Sequence, residues 1–398
     1  MTVDFADEPA EIRAELRAVA RAVLGKAGRG AAADWSALAA SGWLGLETPG
    51  ALGGADATFA EVGIIAEELG RTITRAPYLG AIVLGVGALC AVAPCDGRDD
   101  LLAAASAGEA VPVAVLTEDA AFRLERGPDG RLRLFGRASF VPDAAEASRL
   151  LVAARRDGRG EPVIAAVGPE AAGVTVTPRA VLDETRNLAD VDADGADVPP
   201  QAVWPFTGDT HAAVQRLLDR AAVALACDSL GIAAAMLEAT VSYTQVRHQF
   251  GRPIGSFQAV KHACADMLVQ TTVARELVAA AVTALAGPRV MDARAAASMA
   301  KSYACAAAVD VAGKAMQLHG GVGYARESGV HAYLKRAALN RALFGSPSAH
   351  RARLAERYRS VSTPTPNERP ETADGIGAER RSGPPVRAGA EHGHPGAR

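Results

Sequence analysis

The chain of 398 residues is 49% hydrophobic and 22% charged, with a formal net charge of −3. That length predicts two or three domains, and the balanced charge gives no electrostatic reason to expect binding to nucleic acid or to an anionic membrane. The acidic N-terminus lacks a signal-peptide pattern, and the apolar run at 81–93 is short for a membrane span. The five scattered cysteines lack paired metal spacing, so we expect reduced thiols in a cytoplasmic protein.

Helical spacing dominates the first 110 residues. An apolar series recurs at the interval of one helical face: Ile12, Leu16, Val19 and Val23. Asp34 predicts the N-cap of a second helix, and Gly42 predicts its end. Thr58 precedes a third helical segment, and Gly70 follows it. We therefore predict an N-terminal helical domain at 1–110.

The character of the sequence changes twice after this region. Short alternating runs at 111–205, separated by turn signals such as GPDG at 127–130, predict a middle β-domain built as a small barrel or sandwich. Long helical segments return at 206–360 and predict a C-terminal four-helix bundle. The Pro-, Gly- and Glu-rich segment at 361–398 is expected to be disordered. This order of elements predicts an α+β fold.

A polar break, VRHQFGRPIGSF at 246–257, interrupts the apolar bundle. Arg247 falls in the last turn of one helix, Pro253 prevents that helix from continuing, and Ser256 is expected to cap the next one. A cation at a helix C-terminus is stabilised by the helix dipole, so Arg247 alone is explained as a capping residue. Capping does not explain the neighbouring Gln249, Phe250 and Gly251.

A second, glycine-rich break follows another long helix, with the sequence QLHGGVGY at 317–324. An ordinary C-cap explains Gly320 and Gly321. The functional alternative is that glycines let a ligand approach the backbone closely. Taken alone, this glycine pattern is weak support for a site, and its meaning depends on the first break.

The two breaks, in this order, resemble the acyl-CoA dehydrogenase family. The family pattern Tyr-x-x-x-Arg-x-Gln-Phe-Gly-x-Pro-Ile is matched at 243–254, and Gln-x-x-Gly-Gly-x-Gly-Tyr is matched at 317–324. The segments at 41–71 and 264–267 are similar to the family as well. The resemblance covers nearly the whole chain except the tail. It implies an acyl-CoA dehydrogenase-like fold, FAD as cofactor, and oxidation of an acyl-CoA to a 2,3-enoyl-CoA.

The resemblance also implies which residues hold the cofactor. In this family two subunits build each flavin site, so Arg247 would reach the FAD diphosphate held mainly by the neighbouring subunit, with a guanidinium suited to bidentate phosphate binding. Phe250 would pack near the adenine end. The residues that the resemblance assigns to cofactor binding are Arg247, Gln249, Phe250, Gln317, Gly320, Gly321, Thr117 and Ser346.

The catalytic base is where the family pattern fails. Family members remove the α-proton with a carboxylate, usually a glutamate, while a hydride leaves Cβ for the flavin. Gly345 and Ser346 match the Gly-Thr pair that follows this glutamate, which leaves Phe344 in its place. Phenylalanine cannot accept a proton, so the base must lie elsewhere or on another chain.

Some members of the family carry the base on the first bundle helix, at a position that corresponds to Ala221. Asp219 is two residues before Ala221, which places it about 200° round the helix, so it is expected to face elsewhere. Asp228 lies in the apolar run ALACDSLG and is on the same helical face as Ala221. We take Asp228 as the candidate base, with a structural role beside a buried partner as the alternative.

The chain departs from the family pattern at other positions as well. Phe140 stands where tryptophan is frequent, Pro142 replaces a hydroxyl residue, and Lys335–Arg336 replaces the usual Arg-Asp. The segment HAYLKRA at 331–337 is similar to a bacterial branch that acts on steroid and other bulky acyl-CoAs, often as paired unlike subunits. In such pairs one subunit can lack the base and still complete the FAD site of the other.

Three functions remain open on these grounds. The chain is an active FAD-dependent acyl-CoA dehydrogenase with a relocated base, a base-deficient FAD-binding subunit of a heteromeric dehydrogenase, or a related flavin-dependent oxygenase. For the dehydrogenase, the resemblance implies an acyl-CoA substrate and an electron-transferring flavoprotein or similar acceptor. It also implies a homo- or hetero-oligomer, a dimer or tetramer.

Overall fold

The computed structural model describes residues 8–117, 121–157, 160–287 and 292–361. The described residues up to Arg357 form one compact unit, and a second unit begins at Tyr358. Helices, a β-sheet and further helices follow one another along the chain, so the predicted α+β class is confirmed. The segment predicted to be disordered lies outside the described residues from 362 onward.

The described part of the N-terminal region contains five α-helices and a π-helical segment. Their bounds are α1 Glu8–Ala27, α2 Trp35–Ala40, α3 Phe59–Thr72, the π-helical Leu79–Val86, α4 Gly87–Ala91 and α5 Asp96–Ser106. The predicted N-caps are present, since Asp34 accepts a hydrogen bond from the Ser36 N–H (3.0 Å) and Thr58 forms a capping box with Glu61. Each cap satisfies an N–H that the first helical turn leaves unpaired.

Helix α3 does not end at Gly70 as the sequence suggests, but continues past it. Gly70 instead allows close contact with α6, the first bundle helix, at Thr210–Val246. A Cβ added at Gly70 would lie 2.1 Å from the carbonyl oxygen of Asp228, and one added at Gly231 would lie 1.9 Å from that of Glu67. Because neither glycine carries a side chain, α3 and α6 pack backbone to backbone beside Asp228.

Most of the apolar series on α1 is exposed in this chain, although Leu16 packs against the core. Ile12 and Val19 are 56% and 45% exposed, whereas Ala20 is fully buried. The inward side is held to α3 by ion pairs, of which Arg21–Glu68 is bidentate at 2.7 and 3.1 Å. The periodicity therefore predicted the helix correctly, but three of its four apolar positions are not buried within this chain.

Eight strands form one mixed sheet in the described part of the middle region. They are β1 Pro112–Val115, β2 Phe122–Arg126, β3 Leu132–Pro142, β4 Arg149–Arg156, β5 Pro162–Val167, β6 Val174–Arg179, β7 Leu188–Val198 and β8 Val203–Pro205. The strand order is β6-β7-β3-β2-β4-β5-β8. Strand β1 pairs in parallel with the first half of β4, whose second half pairs with β2. The end of β1 therefore lies at the centre of the sheet.

The C-terminal bundle is built from α6 and three further long helices, α7 Gln258–Ala286, α8 Ala293–His319 and α10 Val330–Ala342, followed by α11 Pro347–Val361. Helix α7 begins at Gln258 after a 3-10 turn, so Ser256 does not cap it as expected. Both α6 and α7 are long and apolar enough to cross a membrane by composition. The most apolar window of α6 is 83% buried inside the protein, as in a core helix, whereas that of α7 is 33% buried.

Candidate functional site

The first polar break forms a tight hairpin at the end of α6. The Arg247 N–H donates to the carbonyl of Tyr243 (3.0 Å) and ends the helix. The chain then pairs Gln249 of β9 (His248–Gln249) with β10 (Arg252–Pro253) through a two-residue turn. Phe250 and Gly251 occupy this turn with φ of 53° and 77°, the left-handed values that such hairpin turns require.

Phe250 is an unusual residue for that turn. A bulky side chain at positive φ is strained, and this one is also 91% exposed. Its ring makes an edge contact with Phe257, with the ring centroids 6.1 Å apart. Within this chain the exposed ring gains little from packing, so the arrangement favours a contact with something outside it.

The second break lies at the end of α8. Gly320 has φ of 61°, and its N–H donates to the carbonyl of Gln317 (3.0 Å), so it caps the helix as the sequence predicts. Gly321 begins the short helix α9, Gly321–Tyr324. A Cβ added to either glycine would meet no atom within 4 Å. The space over both glycines is therefore open to a ligand or to a neighbouring chain.

The fold places the two breaks side by side. The rings of Tyr243 and His319 stack with centroids 4.5 Å apart and planes 20° apart. Arg247 follows Tyr243 by one helical turn, and Gln317 precedes His319 by two residues. We call this region the helix-end cluster: Arg247, Gln249, Phe250, Gln317, Gly320 and Gly321. The sequence predicted that these residues act together, and the ring stack gives the physical connection.

The helix-end cluster presents polar groups and apolar surface together. The side chains of Arg247, Gln249 and Gln317 are exposed and make no hydrogen bond to any described residue. Several apolar residues on the adjoining helices and loops are also largely exposed: Val246, Leu268, Val269, Val322 and Tyr324. A cation, two amides, an exposed aromatic ring and open glycine backbone suit the diphosphate and adenine ends of a dinucleotide. This composition also suits contact with another chain.

Asp228 lies in a buried ionic network, about 28 Å from Arg247 along α6. Its Oδ2 is 2.5 Å from an Arg336 nitrogen and 3.0 Å from an Arg186 nitrogen. Its Oδ1 accepts from Arg336 Nε (3.1 Å) and Asn340 Nδ2 (2.6 Å). Burial alone would raise the pKa of Asp228, but the two guanidinium groups and these hydrogen bonds hold it below its usual range.

This geometry favours the structural alternative for Asp228. The side chain is 3% exposed, and the cavity beside it measures only 20 Å³. A base must reach its proton at hydrogen-bonding distance. Both oxygens of Asp228 are instead bound by arginine and asparagine, so proton abstraction would require the carboxylate to leave two buried guanidinium groups without a partner.

Phe344 lies in the loop between α10 and α11, with φ of 52°. It lines an apolar pocket of about 370 Å³ together with Leu116, at the end of β1, and Phe140, on β3. Among the described residues that line this pocket, none carries an acid or a base. Ser346 follows in the same loop and caps α11, since its Oγ accepts from the Ala349 N–H (3.2 Å).

Thr117 faces a different space, a cleft of about 810 Å³ between the sheet and the starts of α6 and α8. Its Oγ1 accepts from the Ala121 N–H (2.8 Å). Several cationic or titratable side chains also line this cleft: Arg155, His211, Arg216 and Arg294. Leu116 and Thr117 are consecutive, so the end of β1 separates the cleft from the pocket that contains Phe344.

Asp219 is a cleft residue whose importance the sequence did not reveal. It does face away from the direction of Ala221, as helix geometry predicts, but the cleft lies on that side. It is 8% exposed, and its Oδ1 accepts from Gln215 Nε2 (2.9 Å). Burial raises the pKa of Asp219 to about 6, against the lowering effects of Gln215 and Arg294.

Asp219→Asn is expected to stabilise the protein at neutral pH. The pKa of Asp219 is about 6 in the fold and 3.8 without perturbation, so the folded state holds the proton more tightly and the free energy of unfolding falls as pH rises through that window. Asparagine keeps the bond from Gln215 without the charge, and the gain above the folded pKa should be on the order of 1–3 kcal/mol. Urea unfolding across this pH range measures it. A stability gain of the same size below pH 3.8 would contradict the raised pKa of Asp219.

Comparisons with known proteins identify the same family along most of the chain. The family model "Acyl-CoA dehydrogenase, N-terminal domain" matches residues 6–108, and "Acyl-CoA dehydrogenase, C-terminal domain" matches 211–358. The acyl-CoA dehydrogenase IpdE2 of Mycobacterium tuberculosis is 32% identical over 306 residues, which cover 77% of this chain and 80% of the relative.

Solved structures agree with this result. A Tcur3481–Tcur3483 steroid ACAD variant superposes with a TM-score of 0.77 at 26% identity, over 89% of this chain and 99% of that one. The ChsE4–ChsE5 complex of Mycobacterium tuberculosis gives a TM-score of 0.77 at 23% identity, over 89% and 98% of the two chains. The chain therefore belongs to the acyl-CoA dehydrogenase family, whose members are flavin oxidoreductases.

Proposed function

We propose that this chain is the base-deficient, FAD-binding subunit of a heteromeric acyl-CoA dehydrogenase that forms a 2,3-enoyl-CoA from a bulky acyl-CoA. One observation carries the proposal. The loop position of the family's base holds Phe344 in a pocket lined by no described acid or base, whereas the polar side chains of the helix-end cluster are exposed and make no hydrogen bond to any residue that the structure describes. The helix-end cluster therefore offers groups suited to hold a cofactor, while the described residues that line the Phe344 pocket cannot take a proton.

The helix-end cluster would hold the diphosphate and adenine of an FAD whose ring lies with the partner chain. Arg247 would neutralise the phosphate charge, and Gln249 and Gln317 would donate amide hydrogen bonds to neighbouring oxygens. The cluster lies about 28 Å along α6 from Asp228, which packs next to α10 and the Phe344 loop. This separation supports a cofactor that is shared between chains. When bound, FAD supplies the hydride acceptor of the reaction.

The base would come from the unlike partner, whose carboxylate takes the α-proton of the substrate. Two similar solved structures are named as pairs of different proteins, ChsE4–ChsE5 and Tcur3481–Tcur3483. The name of the second pair includes steroid, which supports a bulky acyl group for this chain as well. Following the family resemblance, we assign the reaction to the cytoplasm, with an electron-transferring flavoprotein or similar protein as acceptor.

A second candidate is a dehydrogenase that is active without an unlike partner, and the cleft favours it. Arg155, Arg216 and Arg294 line this space and could bind the phosphates of coenzyme A. Asp219 would then serve as the relocated base, because a carboxyl with a pKa of about 6 ionises close to neutral pH. The end of β1 separates this cleft from the pocket of Phe344. A base at Asp219 would therefore lie apart from the loop position of the family's base, which argues against this candidate.

Purification of the full chain, alone and with any chain that co-purifies, separates these candidates. We expect FAD and its bleaching by a bulky acyl-CoA only in the assembly with an unlike chain. Bound FAD that is bleached by the chain alone, with bleaching lost in Asp219→Asn, would establish the second candidate instead. Reduced flavin that consumes oxygen and hydroxylates the substrate would overturn both in favour of an oxygenase.

A further inference from the structure

One ring stack joins the two helix ends that carry the helix-end cluster. Tyr243 lies in the last turn of α6, and His319 is the last residue of α8. Their ring centroids lie 4.5 Å apart, with the planes 20° apart. Arg247 follows Tyr243 by one turn and Gln317 precedes His319 by two residues, so each ring is close in the chain to a polar group of the cluster. The stack therefore sets how far apart these polar groups lie.

The His319 ring is held in place by its own segment of the chain. Its Nδ1 lies 2.7 Å from the Ala315 carbonyl oxygen, and because a carbonyl only accepts hydrogen bonds, Nδ1 carries the proton. The short helix α9 folds back against this residue at Gly323, where an added Cβ would lie 2.4 Å from the Met316 carbonyl oxygen and 3.1 Å from the His319 Cβ. Only glycine allows that approach. Tyr243 therefore packs against a ring whose plane is already fixed.

His319 is placed to support the cluster and not to bind its ligand directly. The residue is 8% exposed, and it lines a groove of about 760 Å³ together with Arg71, Glu238 and Tyr333. The six residues of the helix-end cluster are not among the described residues that line this groove. The open edge of His319 and the polar groups of the cluster therefore face different spaces.

We propose that His319, stacked on Tyr243, is a positioning residue that fixes the spacing between Arg247 and Gln317. These two groups lie on separate helices, and a ligand gains the full affinity of both only if their spacing is set before it binds. The ADP portion of FAD offers a diphosphate to Arg247 and adenosine oxygens to the other helix end, so it needs both ends at once. The inference rests on the proposed function, which makes FAD the ligand of the cluster.

FAD titration with competing fragments tests the role of the stack. FAD is titrated into the full chain, in its assembly if it requires one, and binding is followed by flavin fluorescence. We expect His319→Leu to raise the FAD dissociation constant about fivefold, which is what one aromatic pair contributes, and to weaken competition by ADP by the same factor. Competition by pyrophosphate, which engages Arg247 alone, should change by less than about twofold. His319→Phe keeps a ring on Tyr243 and should restore FAD affinity to near the wild-type level.

Further variants separate this role from a general loss of stability. Tyr243→Leu should match His319→Leu, and the double variant should lose no more affinity than either one, because both changes remove the same contact. Val311→Ala removes buried volume on α8 about 12 Å before His319 and should leave FAD affinity unchanged.

The positioning role is overturned by wild-type FAD affinity in His319→Leu, by equal losses in His319→Leu and His319→Phe, or by equal weakening of ADP and pyrophosphate competition. If Arg247→Met loses FAD while His319→Leu keeps wild-type affinity, the proposed function stands without this inference. If the wild-type assembly binds no FAD, both fail.

Discussion

Arg247→Met is expected to raise the dissociation constant for FAD about a hundredfold in the assembled protein. A bidentate pair between a guanidinium and a phosphate is charge-assisted and worth about 3 kcal/mol, and each 1.4 kcal/mol changes affinity tenfold. Arg247 is exposed and ends α6 through its backbone N–H, which methionine retains. The loss should therefore be one of affinity and not of folding. Fluorescence titration with FAD measures the change.

Arg252→Met provides the matched control for Arg247. Arg252 is an exposed arginine on the same hairpin, but its guanidinium lies over the Phe257 ring at 4.2 Å. That contact can be lost without removing a phosphate ligand, so FAD affinity should change by less than about twofold. If Arg247→Met binds FAD as tightly as the wild type, the helix-end cluster is not the diphosphate site. Arg247→Lys should recover only part of the affinity, because an ammonium cannot bind bidentately.

Asp228→Asn is expected to lower the free energy of unfolding by about 3–5 kcal/mol. The substitution leaves the buried guanidinium groups of Arg336 and Arg186 without their anion, and an uncompensated buried charge costs that much. Asparagine is nearly isosteric, so the loss comes from charge and not from a cavity. Because the pKa of Asp228 is depressed in the fold, the wild-type advantage should disappear as pH falls through that depressed value.

The same variant also tests the role of Asp228 as a base. If Asp228 is structural, a folded Asp228→Asn assembly should still be bleached by acyl-CoA at low temperature. Asp266→Asn is the control, because Asp266 pairs with Lys314 at 3.6 Å on the surface and should contribute less than about 1 kcal/mol. Loss of bleaching with unchanged stability in Asp228→Asn would restore Asp228 as the base.

The ionic network connects two features that look unrelated in the sequence. An aspartate in an apolar helical run and an arginine at the usual aspartate position on α10 lie 108 residues apart. Periodicity within one helix cannot show that these charges meet, because the partner is on another helix. The fold brings Arg336 and Asp228 into a doubly hydrogen-bonded pair, so each buried charge compensates the other.

The sequence by itself determined the features that depend on neighbouring residues. Thr58 and Asp34 predicted helix starts because caps act within one turn, and the fixed spacing around Arg247 and Gln317 identified the family and the helix-end cluster. Strand β7 lies within the region predicted as β-structure at 111–205, but the run LADVDADGADV gives no strand signal of its own, since it alternates acids with small residues and its pairing with β3 is long-range.

Only the tertiary structure decided the roles that depend on distant partners. Asp228 became part of a structural network because Arg336 and Arg186 reach it, and Asp219 became a cleft residue because the sheet packs opposite it. The exposure of Ile12 and Val19 accompanies ion pairs that hold the other side of α1 to α3. In each case the deciding energy is electrostatic or packing energy between segments far apart in the chain, which local residue patterns do not contain.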